Sequence, residues 1–454
     1  DENNTGIATP LNAARWTNPY ETPFNASGGY TDIVSGQPNG LREIELNFRD
    51  RKQIKGVGNI YLSYAAPFLK GLTFKTNLGG DFRNNELTEY TDPTTQLGRA
   101  QTGNRGSFSR GIGRYFRYTS TSSVNYATTI NKDHTLSVGL YNEIIKTNAA
   151  NFQFTGYGLG GAFQNEAGIT PGNNTNNFIP AVGGNGSINA LLSYFAMANY
   201  GYKGKYYLQA TVRRDGSSRF GANKKFANFG SVGASWIISD ESFMSGLKSG
   251  FLDELKIKAS YGSAGNQSGL NDFQSRELYG RGVYNGVSGL IQNNLANPEL
   301  QWERKTTFNA GIEFSTFKGR FSGALEYYNS LTTDLFLNKQ LSRTTGNRSL
   351  ASNIGELQNK GVEASLNFGV VKSKNFTWDI NASLTYNDNI VRKLEDGQNE
   401  IINGIFINRI GESLNSFYVV PTAGVNPANG NQQYRKLDGS LTETLDADDR
   451  IIEF

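Results

Sequence analysis

Apolar and polar residues alternate without a break from Phe376 to Tyr386. Phe376, Trp378, Ile380, Ala382, Leu384 and Tyr386 fall on one face of an extended chain, and Thr377, Asp379, Asn381, Ser383 and Thr385 on the other. A period of two over about eleven residues is a strand signal, not a helical one. Strands of soluble domains cluster near five or six residues, whereas a tilted strand that crosses a membrane needs about 9–11. Aromatic residues close both ends of the apolar face, where a barrel strand meets the two water–lipid boundaries. The segment Val362 to Val370 alternates as well, and only VKSKN separates the two. The pair reads as one hairpin of an outer-membrane β-barrel.

The same pattern recurs along the chain and predicts strands near Val57–Ala65, Leu72–Phe82, Tyr115–Thr129, Thr135–Lys146, Tyr194–Tyr202 and Lys205–Arg214. Further strands fall near Phe226–Ile238, Leu255–Gly262, Thr306–Phe317, Arg320–Asn329, Val362–Val370 and Phe376–Asn387. Asp1 to about Leu41 is polar and reads as an irregular loop, with a short strand expected at Arg42–Phe48. The connections alternate between short ones (PFLKG, NKD, KGK, KGR, VKSKN) and long ones. Bacterial barrels are built this way, with short turns in the periplasm and long loops outside the cell. One connection on the short side, Ser239–Asp253, is longer, and its SDESFM opening predicts a helical turn. The expected fold is therefore all-β, a large antiparallel transmembrane barrel. Residues 1–56 form a polar region with the first strand or strands, 57–418 the barrel hairpins with long extracellular loops, and 419–454 a loop with an acidic tail.

Composition removes the competing classes. Hydrophobic residues make up 37% of the 454 and the mean hydropathy is −0.49, with no run of about 18 apolar residues, so the chain is not a helical membrane protein. A barrel escapes that test because alternate residues face a wet lumen. The 12% aromatic content suits interfacial girdles. With no cysteine there is neither a disulfide nor a thiolate metal site. The net charge of +4 is spread without a long basic block, and nucleic acid is not indicated.

Candidate chemistry is sparse. Gly156-Tyr157-Gly158-Leu159-Gly160-Gly161 satisfies G-x-G-x-x-G, but a dinucleotide site needs a helix next and a loop follows. His134 is the only histidine and sits in a short turn, so metal and nucleophilic centres of the common kinds are hard to build. No catalytic constellation is visible and the chain does not read as an enzyme. Asp438, Asp446, Asp448 and Asp449 could offer oxygens to Ca²⁺, although a solvated acidic loop accounts for them too. Lys256, Lys258, Ser260, Glu363 and Asp379 lie on polar strand faces, as expected of a hydrated conduit, and equally of charges that only solvate a plug. Phe163, Phe178, Tyr279 and Tyr284, in long loops, are candidates to stack on a substrate.

Several segments match one family in order. VRRDGSSRFG, carrying Asp215, Gly216, Ser217, Ser218, Arg219 and Phe220, is similar to the strand-to-loop signature of the SusC/RagA-type TonB-dependent outer-membrane transporters of Bacteroidetes. LKIKASYGSAGNQ contributes Gly265, Asn266 and Gln267, and NPELQWE contributes Asn297, Pro298, Trp302 and Glu303. EYYNSLTTDLF follows, then NIGELQNKGVE with Asn359, Lys360, Gly361 and Glu363, then RIGESLNSFY. The resemblance covers about Gly56 to Tyr418. It implies an integral outer-membrane protein that imports oligosaccharide or peptide. The implied partners are a SusD-like surface lipoprotein and TonB–ExbB–ExbD, the latter reached through a segment outside this sequence. No cofactor is implied; the tighter Asp-x-Asn-Gly-Asp-Gly arrangement that the family often has in the region of Asp438–Asp449 is largely lost here. The plug and N-terminal domains of the family do not match any part of the sequence, which is expected to be a central-to-late portion of the barrel. The alternative expectation is a transporter-like barrel serving as a structural or assembly component of an outer-membrane complex.

Overall fold

The computed structural model describes residues 15–32, 37–100, 105–160, 163–173, 175–248, 250–342, 344, 346–347, 349–395 and 397–453. The chain runs through β1 (Phe48–Ala65), β2 (Leu72–Thr91), β3 (Ser107–Ile130), β4 (His134–Tyr157), β5 (Ala181–Tyr202), β6 (Tyr206–Ser217), β7 (Phe226–Ile237) and β8 (Leu252–Asn266). It continues with β9 (Leu278–Tyr284), β10 (Val287–Asn294), β11 (Glu303–Thr316), β12 (Phe321–Thr333), β13 (Phe336–Gln340), β14 (Ser349–Asn353), β15 (Glu356–Lys372) and β16 (Thr377–Lys393). Twelve of these form one sheet in sequence order, once the β9–β10 and β13–β14 hairpins are set aside. All twelve strands expected from alternation are present. Most are longer than expected: β3 and β4 have 24 residues each, about twice a bilayer crossing. Alternation stops being needed where a strand leaves lipid, so the sequence pattern marks only the part that is wetted on one side.

Register explains the sidedness. Leu384, Ala364, Leu325, Ile312, Ile257, Trp236, Tyr206 and Tyr202 pair in succession across eight strands and make one apolar row. One residue further on, Thr385, Glu363, Glu326, Gly311, Lys258 and Ser235 make a row on the opposite face. Leu384 and Tyr386 are largely exposed on the apolar face, as only lipid contact would allow for a whole surface of this kind.

The chain divides into two compact units. The first comprises Asp1–Ile60, Asn77–Ser120 and Ile145–Asn189. Here the strand expected at Arg42–Phe48 is instead a helix, Gly40–Leu46, with β1 starting only at Phe48. Asn39 caps it by accepting from the Arg42 N–H, and Glu43 stands in the first turn. The buried face is charged: Arg42 reaches Asp32 at 2.7 Å, and the Glu43 carboxylate accepts from the Gln96 N–H at 2.6 Å. Seven residues of apparent strand could not reveal a face that is buried through an ion pair and hydrogen bonds to another segment. The Arg99 and Arg42 guanidiniums hold the Asp32 carboxyl well below the usual carboxylate range. Tyr90, Phe108 and Leu159 form a small core in the same unit.

The second unit comprises Tyr61–Thr76, Thr121–Ile144 and Ala190–Phe454, and holds all six short connections. The helical turn expected at Ser239–Met244 is found as two 3-10 turns followed by the helix Ser245–Lys248. Glu241 accepts from the Tyr206 hydroxyl at 2.7 Å and the Trp236 indole at 3.2 Å. The hydrogen bond from Tyr206 holds its carboxyl below the ordinary value, so the anchor stays ionised in mildly acidic medium. The long loops carry structure of their own, since β9–β10 and β13–β14 lie within them. The segment after Lys393 also carries small sheets, β17 (Glu400–Asn403), β18 (Phe406–Arg409), β19 (Ser416–Val419), β20 (Thr422–Val425), β21 (Gln432–Arg435), β22 (Leu441–Thr442) and β23 (Ile451–Glu453).

Two predictions follow from sidedness and connection length. Ile380→Arg places a charge on the lipid face and is expected to destabilise by roughly 2–4 kcal/mol near the bilayer midplane, while Asn381→Arg on the opposite face is mild. Urea unfolding in lipid vesicles measures both; equal costs would contradict the assignment. Cysteine at Ser288, in a long loop, should react with an impermeant maleimide on whole cells, and cysteine at Asn375, in a short turn, should react only after lysis.

Candidate functional site

Two features of the second unit could carry function. The first is the polar face of the sheet. It lines a hollow of about 1010 Å³ to which Gln209, Ser235, Lys256, Lys258, Asn309 and Glu326 contribute. Cross-strand ion pairs organise it: Lys256 meets Glu313 at 3.2 Å, Lys258 meets Glu313 at 2.7 Å, and Lys258 also pairs with Glu326. Glu363 stands directly opposite Glu326 in register and is exposed. Further along the same face, Arg213 binds Asp215 at 2.6 Å and donates to the Ser193 hydroxyl at 2.8 Å. Charges of both signs, fixed on the strands of one face, suit the passage of polar solutes.

The second feature gathers the family-like motifs. Phe220, Phe229, Leu270, Leu300 and Trp302 pack into one buried cluster, and Phe336 leans on it. The Phe220 and Trp302 rings are 4.6 Å apart, and Phe229 meets Trp302 edge-on at 5.8 Å. Polar bonds surround this core. The Trp302 indole donates to the Lys225 carbonyl at 3.1 Å. Glu303, 7% exposed, accepts from the Asn266 amide at 2.6 Å and from the Phe336 N–H at 2.7 Å. Ser217 donates to Gln267 at 2.6 Å, Arg219 binds Asp272 at 2.8 Å, and Asn297 donates to the Ala351 carbonyl at 2.8 Å. A Cβ on Gly265 would run into the Phe229 ring, and one on Gly221 into the Pro298 carbonyl oxygen. Glycine is required at both by close approach. The arrangement ties the β6–β7, β8–β11 and β12–β15 connections into one brace above the strand ends.

Most motif residues therefore converge, although the sequence placed them more than 80 positions apart. Ser217, Arg219 and Phe220 supply one side of the brace, and Gly265, Asn266, Gln267, Asn297, Pro298, Trp302 and Glu303 the other; Asp215 pairs instead with Arg213 on the polar face, Gly216 lies in the β6–β7 ladder and the Ser218 hydroxyl accepts from the Ala190 N–H. Asn359, Lys360, Gly361 and Glu363 lie apart on β15, where Asn359 accepts from Asn389 at 2.7 Å and Lys360 pairs with Asp388 at 3.2 Å. Asn353 belongs to the brace and was not singled out in the sequence: it accepts from the Gln301 N–H at 2.9 Å and donates to the Gln301 and Asp334 carbonyls at 2.8 Å. Its one sequence signal is an asparagine at the head of a matched segment.

The aromatic candidates do not form one site. Tyr279 and Tyr284 stand exposed on the β9–β10 hairpin, Tyr284 at 89%. Phe163 is exposed and Phe178 half-buried in the first unit, where Phe178 covers Gly158. The G-x-G-x-x-G stretch ends at Gly161, outside the described residues, and its Leu159 is core. His134 contacts the Tyr200 hydroxyl at 2.7 Å and lies tilted against the Tyr202 ring at 4.8 Å. The acidic candidates are engaged locally: Asp438 accepts from the Ser440 N–H, Asp446 from the Asp448 N–H and Asp449 from the Leu437 N–H. Among the described residues no group of three or more His, Cys, Asp or Glu is placed to hold a metal ion.

A sheet that is apolar outside, charged inside and braced over its loops defines an outer-membrane β-barrel domain. Residues 1–439 match the family of TonB dependent receptor-like β-barrels, and the chain belongs to that family. It is 31% identical over 438 residues to a TonB-dependent receptor of Formosa agariphila, covering 94% of this chain and 40% of that protein. It is 27% identical to the TonB-dependent receptor SusC of Bacteroides thetaiotaomicron, covering 94% of this chain and 43% of SusC. A solved structure of the RagAB peptide transporter superposes with a TM-score of 0.81 at 25% identity, over 95% of this chain and 48% of that chain. The chain thus spans less than half the length of these relatives. As expected from the motifs, it is a SusC/RagA-type barrel, located in the outer membrane.

Removing the brace should loosen the loops before the strands. Trp302→Ala leaves a cavity expected to cost about 3–5 kcal/mol, and hydrogen exchange should accelerate across Ser268–Leu300 while β15 and β16 stay protected. Uniform loss of protection would show that Trp302 supports the sheet instead.

Proposed function

We propose that this barrel is the membrane-spanning part of a TonB-dependent importer of oligosaccharides or peptides. The observation that carries the reading is the charged face with its hollow of about 1010 Å³, set behind an apolar outer surface. Family membership and the likeness to a peptide transporter support it. In this reading a SusD-like lipoprotein covers the long loops, which the brace holds in position to receive it. Tyr279 and Tyr284 offer exposed ring faces to substrate or lipoprotein, and TonB–ExbB–ExbD supplies the energy through a part of the protein beyond this chain. The residues Asp438, Asp446, Asp448 and Asp449 are left as solvated loop acids, with no Ca²⁺ required.

Deletion of the gene should abolish growth on one class of polymeric nutrient, and the full-length protein should restore it. Purification of the tagged protein in mild detergent should recover a surface lipoprotein in stoichiometric amount. Wild-type growth of the deletion strain on every oligosaccharide and peptide source, with loss of an envelope complex, would favour an assembly role instead. Reversing charge in the hollow with Lys258→Glu should lower uptake at least several-fold while the barrel still folds, because lumen substitutions tune passage more than stability.

A further inference from the structure

The net charge of +4 is not evenly distributed. The six short connections, Ala66–Gly71, Asn131–Asp133, Lys203–Lys205, Ile238–Phe251, Phe317–Arg320 and Ser373–Phe376, contain eight Lys or Arg and three Asp or Glu. That leaves 36 of the 44 basic and 37 of the 40 acidic residues for everything else. The whole positive excess of the chain therefore sits on the short-turn rim. Lys203, Lys318, Arg320 and Lys374 are exposed there and have no carboxylate within ion-pair distance among the described residues.

These cations have apolar neighbours that water-facing turns do not need. Phe317 and Phe376 stand in the same turns as Lys318, Arg320 and Lys374 and are 59% and 60% exposed, and Phe68 and Phe243 are exposed in two further connections of this rim. In a fifth, the Lys203 ammonium lies 5.2 Å from the Tyr202 ring, and Tyr202 stacks on Tyr206. An exposed phenyl ring beside an unpaired cation has a natural environment at a membrane boundary, where the ring enters the acyl–headgroup zone and the cation stays at phosphate level. A zwitterionic headgroup brings its own ammonium and gains little there, whereas an anionic one complements the surplus.

We propose that the short-turn rim is a binding site for anionic phospholipid headgroups in the periplasmic leaflet, with Lys203, Lys318, Arg320 and Lys374 on the phosphates and the rim phenylalanines anchoring beside them. Peptidoglycan, the other acidic polymer on that side, would not account for the exposed phenylalanines. The proposal goes beyond import and rests only on the short connections facing the periplasm. The maleimide labelling at Ser288 and Asn375 distinguishes a failure of that orientation from a failure of lipid selectivity.

The test is native mass spectrometry of the full-length protein, titrated with phosphatidylglycerol and with phosphatidylethanolamine of identical acyl chains. The wild type is expected to retain phosphatidylglycerol about tenfold better, and high salt should erase the preference. The variant K203Q/K318Q/R320Q/K374Q should bind both lipids alike, and K203R/K318R/K374R should restore the preference. Cold-gel migration as a folded barrel shows that each variant is intact, and should one misfold, the wild-type lipid ratio and its salt dependence still decide. Equal retention of the two lipids by the wild type overturns the proposal. So does an unchanged preference in the glutamine variant, or a variant that loses only co-sedimentation with purified sacculi.

Discussion

The antiparallel backbone ladder governs everything else in this protein. In lipid no water is available for an unpaired N–H or C=O, so each strand must be bonded to its neighbours in fixed register. Fixed register forces successive side chains to opposite faces. The row from Leu384 to Tyr202 can then be uniformly apolar, and the row one residue away can carry Lys258, Glu326 and Glu363. A slip of one residue would turn the charged row into lipid, a cost that makes the register strongly specified.

The loops are under no such constraint, and they are ordered by different means. Their brace is a small soluble-type core: Phe220, Trp302 and Leu300 exclude water, and Glu303 and Asn353 satisfy backbone groups that the ladder no longer reaches. Buried Glu303 is tolerated because both carboxylate oxygens accept hydrogen bonds. The brace thus holds the long connections in one arrangement beyond the reach of the sheet's own ladder. The short connections solve the opposite problem. They must turn within a few residues at the membrane surface, and positive φ at Asn131, Lys132, Lys203 and Gly204 makes that possible.

Much of this was legible in the chain. Each of the twelve sheet strands announced itself through alternation, and the alternating connection lengths gave the two ends of the sheet different characters. The errors have physical causes. Arg42–Phe48 looked extended because the buried face of the helix there is Arg42, ion-paired with Asp32, and Glu43, bonded to the Gln96 N–H, and pattern reading counts charges as solvent-facing. The hairpins β9–β10 and β13–β14 went unseen because their strands are short, five to eight residues, and neither face is a lipid face.

What the sequence by itself determined was the period, because lipid on one side and water on the other write a rule of two into every crossing. It also carried the motifs, but not their meaning. That Gly265 lies under Phe229 and Trp302, that Asn266 and Phe336 share the carboxylate of Glu303, and that Lys258 sits between Glu313 and Glu326 were decided only by the tertiary structure. Those contacts join residues on different strands and loops. Their partners depend on register and on which connections meet, and neither is recorded in any local stretch of residues.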